Sequence, residues 1–209
     1  MIDRPVGHRV DSCGGAPFKS PQKVSCPNPG IADHGRPMTA LSEAILQSSV
    51  RLTQSNGLEG WSIERVARGA KCAKGLVIHH YQTRPNLLQA TATRVARIRL
   101  DRRTLALEPG GTDALDALWH TIIEENDSGL SRATFGLSAH GYRVRRADDH
   151  QKLHAAIAAA LAISPDALAD PIAVAAMLDG IEFALLLGAD AEVVRRAFDR
   201  LWVTLIESD

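Results

Sequence analysis

Eight histidines and three cysteines are the side chains of this chain best suited to hold a metal, and their spacing keeps most of them apart. His79 and His80 adjoin in a stretch with helical patterning, where neighbouring side chains point about 100° apart, so no one ion sits between them. His150 and His154 do share a face at four-residue spacing, beside Asp148 and Asp149. Such a face holds a metal or meets solvent, and solvent is the expectation. Cys13 and Cys26 lie near His8 and His34 without the four organised ligands that zinc needs, and read as free thiols. Cys72 would have to be an exposed thiolate to sense oxidants, and reads as a buried packing residue. Neither a metal nor a cofactor is expected.

The sequence has no nucleophile–base constellation, glycine-rich phosphate loop or spaced carboxylate set. A small helical enzyme would have to work with His120, Glu124 or His154, and no catalytic residue is expected. Five arginines cluster instead, at Arg94, Arg97, Arg99, Arg102 and Arg103. They make either a patch for nucleic-acid phosphates or a solvated face linked to Asp101 and to acidic residues further on.

The elements that position these groups are helices. The chain is 45% hydrophobic but only 4% aromatic, so its core is built of Ala, Leu, Ile and Val, and the Ala- and Leu-rich stretches favour helix. With no sustained strand alternation, the expected class is all-α. No apolar run reaches the length of a membrane span and no secretory apolar region stands near residue 1, so a cytoplasmic protein is expected. An odd number of cysteines at unrelated spacings fits a reducing compartment. The formal net charge of zero conceals a division. Residues 1–103 hold sixteen Lys and Arg against seven Asp and Glu, whereas residues 104–209 hold eight against seventeen. That asymmetry suits a chain with one end against a polyanion.

Residues 1–37 carry six prolines and five glycines with no apolar periodicity, and read as a disordered tail. Helical pattern begins at Thr39, an N-cap, and stops at Asn56-Gly57. Ser62 caps a second helix whose Ile63, Val66, Ala67 and Ala70 form an apolar stripe. After a break at Lys71-Cys72, a third helix runs to Tyr81 with Ala73, Val77 and Tyr81 expected inward. Two short helices, a tight break and one shared apolar interior make a helix-turn-helix over residues 62–81. Pro85 opens a long fourth helix that Pro109-Gly110-Gly111 ends. Further helices are expected from about Thr112 to Asn126, over 130–140, from Ala147 to Ile163, from Asp170-Pro171 to Leu187, and from Asp190 onward. The expected division is a tail (1–37), a helix-turn-helix domain (38–98) and a further helical domain (99–209).

The stretch WSIERVARGAKCAKGLVIHHYQTRPNLL, with ILQSSVRLTQSNGLEG before it, resembles the N-terminal DNA-binding domain of the tetracycline-repressor (TetR) family over residues 41–95. The resemblance rests on the glycine ending the first helix, the Ser62 cap, the I-x-x-V-A stripe, Lys74-Gly75, His80-Tyr81 and the Leu87-Leu88 pair. It implies a homodimeric, ligand-responsive regulator, a repressor in most such cases, which lays its third helix into the major groove of a pseudo-palindromic operator. The resemblance would make residues 38–98 a DNA-binding domain and residues 99–209 an effector-binding and dimerisation domain. It further implies that Lys74 and Gly75 approach DNA at the start of that helix, and that Ile78 and His79 lie outward. Thr83 and Arg84 would face phosphates, and Ser62 and Arg65 the flanking backbone. The sequence departs from the family at Lys71, in place of a turn glycine, at Ala73, in place of a capping hydroxyl, at Leu76, in place of threonine, and at Ile78, in place of tyrosine. Those departures support another reading, a sensor with a degenerate reader; the small helical enzyme that would use His120, Glu124 or His154 is the further alternative.

For the implied effector pocket, the bulky or polar residues of the middle helices are Trp119, His120, Phe135, His140, Tyr142, Met177, Glu182 and Phe183. For the dimer interface, the last two helices offer Leu185, Leu186, Leu187, Val194, Phe198, Leu201 and Trp202. Expected partners are double-stranded DNA, a small-molecule effector and a second copy, with no membrane.

Overall fold

The structure, a computed structural model, describes residues 39–144, 147–168 and 170–206. Residues 35–209 form one compact unit. The expectation for the 1–37 segment lies outside the described residues.

Among the described residues the chain is helical throughout, without strands. The helices are α1 (Ala40–Asn56), α2 (Ile63–Gly69), α3 (Lys74–Tyr81), α4 (Arg84–Ala106), α5 (Gly111–Asp127), α6 (Leu130–Ala139), α7 (Ala147–Ala160), α8 (Pro171–Leu186) and α9 (Ala191–Ile206), with a 3₁₀ turn at Pro165–Ala167 before α8. Their starts follow local chemistry. The hydroxyls of Thr39, Ser62 and Thr83 accept from the amides three residues on, and the Asp170 carboxylate accepts from the Ile172 amide. Gly57, in the left-handed region at φ 61°, ends α1. α7 stops short of its expected end because Ala162 turns to φ 55°.

Two apolar cores form. The first gathers Ile45 and Val50 of α1, Val66 of α2, Val77 of α3, Leu87, Leu88 and Val95 of α4, and Leu130 and Leu137 of α6. The second gathers Leu100, Leu118, Ile122, Ile157, Leu178, Ile181, Phe198 and Trp202 from α4, α5, α7, α8 and α9. α4 runs unbroken through residue 98, the expected domain boundary, and contributes to both cores. α6 joins the N-terminal core from beyond that boundary. Its lead-in, Gly129, has φ 75°, and a Cβ there would stand 2.3 Å from the Gln54 carbonyl oxygen of α1, so only glycine lets the two backbones meet.

A polar thread fixes α1 against α4 inside the first core. The Trp61 indole N–H donates to Ser49 Oγ at 3.0 Å, Ser49 Oγ lies 2.6 Å from Thr91 Oγ1, and Thr91 donates to the Leu87 carbonyl at 2.7 Å. Because the Thr91 proton is committed to the carbonyl, Ser49 must donate to Thr91 while accepting from Trp61. Every buried polar atom of the thread is thereby used.

The five α4 arginines do not make a nucleic-acid patch. Arg94 pairs with Glu43, Arg97 with Asp101 at 2.9 Å, and Arg102 with Glu124 at 2.6 Å. Arg99 and Arg103 are neither solvated nor DNA-facing. They are 4% and 3% exposed and pair with Glu125 of α5 and Glu182 of α8, both fully buried. Removing one charge from such a network strands its partners in a poorly solvating interior. Glu182→Gln should therefore destabilise the fold by about 3–5 kcal/mol in urea unfolding, with Arg97→Gln, at an exposed pair, shifting it by less than about 1 kcal/mol.

Candidate nucleic-acid interface

α2 and α3 meet at a tight break. Lys71 takes φ 55°, the left-handed conformation that a glycine adopts more readily, and the Cys72 amide donates back to the Ala67 carbonyl at 3.0 Å. Cys72 is half-buried against the first core. Val77 anchors α3 at 1% exposure, and the Tyr81 hydroxyl donates to the Ser42 carbonyl of α1 at 2.9 Å. Burial, reinforced by Glu43, pushes the Tyr81 pKa up to about 12, so the phenol stays a donor. Ala73, expected inward, is exposed, since it is the extended residue preceding the helix and turns its methyl out.

With Val77 as the anchor, the rest of α3 faces out. Gly75, Leu76, Ile78 and His79 are exposed, Leu76 at 41% and Ile78 at 43%. A methyl added to Gly75 would meet nothing within 4 Å. The face is bounded by Lys71 and Lys74 at one end, and by Thr83 and Arg84 after the left-handed Gln82 (φ 62°) at the other. Among the described residues no carboxylate pairs with Lys71, His79 or Arg84; the Arg84 guanidinium stacks 5.4 Å from the centroid of Trp61. The Ser62 and Thr83 hydroxyls each accept from an amide at 3.2 Å; Thr83 keeps a proton to donate, and the Ser62 hydroxyl faces the Glu64 carboxylate. Two residues of the sequence-based set are otherwise engaged. Arg65 donates to the Gly60 carbonyl and to Asn56 Oδ1 (3.3 Å), bracing the α1–α2 loop. Lys74 pairs with Glu64 of α2, and that hydrogen bond holds the Glu64 carboxyl down at about 2. A partner ten residues away, across a turn, leaves no periodic signal in the sequence.

The residues named for an effector pocket do not converge. His120 and His140 are exposed, and Tyr142 packs on the first core. Glu182 is consumed by the arginine network, Trp119 is buried against Phe198 with ring centroids 5.5 Å apart, and Met177 packs on the second core. Phe135 and Phe183 do meet, at 5.3 Å, near the surface. A cavity of about 40 Å³ lies elsewhere, between α4, α7 and α8, lined by Ala96, Arg99, Leu100, Arg103, Val144, Asp149, His150, Leu153 and Ala175. His150 Nε2 is buried there without a hydrogen-bond partner, and His154 is 7% exposed, so this pair does not form the solvated face expected of it. No cluster of three metal-binding side chains occurs among the described residues, and no helix there is long and apolar enough to cross a membrane.

The dimer expectation needs correction at four residues. Leu185, Val194, Phe198 and Trp202 are 0–7% exposed within the chain's own core and have no surface to offer a partner. Leu186 is half-buried. Leu187, at 72%, and Leu201, at 36%, are exposed. With Leu187 goes a continuous stripe on α8, formed by Ala173, Ala176, Gly180 and Phe183 at alternating spacings of three and four, and a second on α9, formed by Val193, Ala197 and Leu201.

No protein-family model and no curated protein sequence matches the chain. Its fold is that of solved TetR-family regulators. A TetR-family member from Streptomyces coelicolor A3, SCO1917, superposes with a TM-score of 0.55 at 24% identity, covering 78% of this chain and 98% of its own. The multidrug-binding protein EbrR, solved with ethidium, gives 0.56 at 22%, with the same coverage. Another TetR-family transcriptional regulator from Streptomyces coelicolor gives 0.55 at 19%, covering 78% and 96%.

The Glu64–Lys74 pair has a direct readout. A carboxyl depressed in the fold is favoured above its ordinary value of 4.5, and the advantage is lost as pH falls through about 2. A carboxyl-carbon NMR titration should place the Glu64 midpoint near 2, and Lys74→Gln should return it towards 4.5.

Proposed function

We propose that this chain is a cytoplasmic, DNA-binding transcriptional regulator, a repressor that works as a homodimer on a pseudo-palindromic operator and answers to a small molecule. The observation that carries the reading is the uncovered outer face of α3. It is a short helix pinned by Val77 and Tyr81, with Gly75, Ile78 and His79 turned outward and Lys71, Lys74 and Arg84 around them. A rod of that width enters a major groove, and cations at its ends meet the phosphates on either side. Ile78 and Leu76 suit thymine methyls, and His79 is the outward side chain able to donate to a base edge. Thr83 supplies a hydroxyl proton to a phosphate, while Lys71 replaces with charge some of what the missing hydroxyl at Ala73 takes away. Solved proteins of this fold are regulators, and this chain shares their architecture.

Two-fold pairing follows from the stripes on α8 and α9. An exposed apolar ridge with Ala173, Ala176 and Gly180 at its crossing end lets two α8 helices approach closely, and Phe183, Leu187, Val193 and Leu201 then lose water together. The effector site is the cavity between α4, α7 and α8, where a bound molecule touches the same helix that carries α3. The alternative of a degenerate reader draws on Ala73, which gives α3 no side-chain cap.

Selection from random duplex DNA should return a palindromic motif; recovery of no motif at low salt would favour the degenerate reader. Arg84→Ala should weaken all sequences alike and lower the salt slope by about 1.8, about 0.9 for each protomer, whereas His79→Ala should change the preferred bases at one position of each half-site. Sedimentation should show a dimer for the natural chain and a helical monomer for Leu187→Glu.

A further inference from the structure

The Lys74–Glu64 ion pair joins the first residue of α3 to the first turn of α2, at the end of α3 that faces outward. Neither side chain is buried, each keeping 54% of its exposure. Lys71 and Arg84 flank the same face with no carboxylate partner among the described residues. Lys74 thus differs from its neighbours in being already neutralised when DNA arrives. We infer that Glu64 is a specificity-determining residue of the DNA interface, occupying the Lys74 ammonium in the free protein and withholding one phosphate contact from DNA of arbitrary sequence. The inference rests on the DNA-binding reading above.

Binding to arbitrary sequence is electrostatic and grows with the number of phosphates neutralised, each releasing counterions. A lysine committed to a carboxylate releases none, because opening the pair leaves the Glu64 charge beside the phosphates. An exposed pair is nonetheless weak. A site whose bases fit Ile78 and His79 supplies the extra attraction to open it, and arbitrary DNA does not. Glu64 therefore lowers the background more than it lowers operator binding. The depressed Glu64 carboxyl keeps the pair ionised across the range in which a cell works.

The test is fluorescence anisotropy on a random-sequence duplex, from about 50 to 300 mM salt, where phosphate contacts are read from the slope of log affinity against log salt. Glu64→Gln should steepen that slope by about 1.8, about 0.9 for each protomer of the dimer, and tighten binding about thirtyfold at about 0.15 M salt, the increment of two phosphate contacts. Lys74→Gln added to Glu64→Gln should remove the gain and return the slope to that of the natural chain. An unchanged slope in Glu64→Gln overturns the inference while leaving the DNA-binding reading intact, as does a gain that survives when Lys74→Gln is added. Failure of the natural chain to bind any duplex at the lowest salt overturns that reading itself, and the inference with it.

Discussion

The structure depends on one helix being held at both ends. α4 begins under Trp61, where Arg84 stacks, and finishes among four buried charges, so its position answers to both cores at once. Placing Arg99 and Arg103 inside the protein is unfavourable unless each guanidinium finds carboxylates in good geometry. Glu125 supplies them from α5, with Oε2 accepting from Arg99 Nε at 3.2 Å and from Arg103 at 2.7 Å, and Glu182 supplies them from α8. A sideways or rotational slip of α4 would break several of these bonds together, whereas leucines would tolerate it. The network is thus a registry device more than a source of stability, and what it registers is the helix that carries α3.

That role explains where the sequence misleads. The basic first half and acidic second half suggest a surface that meets a polyanion, yet much of the asymmetry is spent on ion pairs within the chain. Arg99, Arg102 and Arg103 from the basic half meet Glu124, Glu125 and Glu182 from the acidic half. Net charge by segment cannot separate a pair formed across 83 residues of chain from two charges facing water. On the proposed reading the cations that meet DNA are few and local, around α3, and their significance comes from position more than number.

Other features were legible because their causes are local. The caps at Thr39, Ser62, Thr83 and Asp170 and the break at Gly57 placed those helix ends within a residue or two, and the Ile63–Ala70 stripe placed α2 on the core. What failed was the choice of face on the last two helices. α8 is apolar nearly all round, so Leu178, Ile181 and Leu185 on one side and Ala173, Phe183 and Leu187 on the other share the same periodicity. Periodicity tells which residues share a face, and only the packing of α5, α7 and α9 tells which face is inside. The effector residues failed for a related reason: bulk and polarity mark Trp119 and Glu182 as unusual, but both are consumed by packing and pairing.

On the proposed reading, the cavity stands where a small molecule has leverage. Its walls include Arg99 and Arg103, so a guest shares side chains with the network that registers α4. At about 40 Å³ the cavity is far smaller than the roughly 150 Å³ that benzene occupies in an engineered core. A guest of drug-like size therefore has to part α7 from α4 and α8. The lining residues that α7 contributes are Asp149, His150 and Leu153. Moving α7 leaves the Arg–Glu bonds intact only if α4, α5 and α8 move as one body. The motion such a guest imposes is then a tilt of that body, and the first core, tied to α4 through Thr91 and Ser49, must follow it. Two copies joined along α8 would convert the tilt into a change in the separation of their α3 helices, the distance on which binding to two half-sites depends.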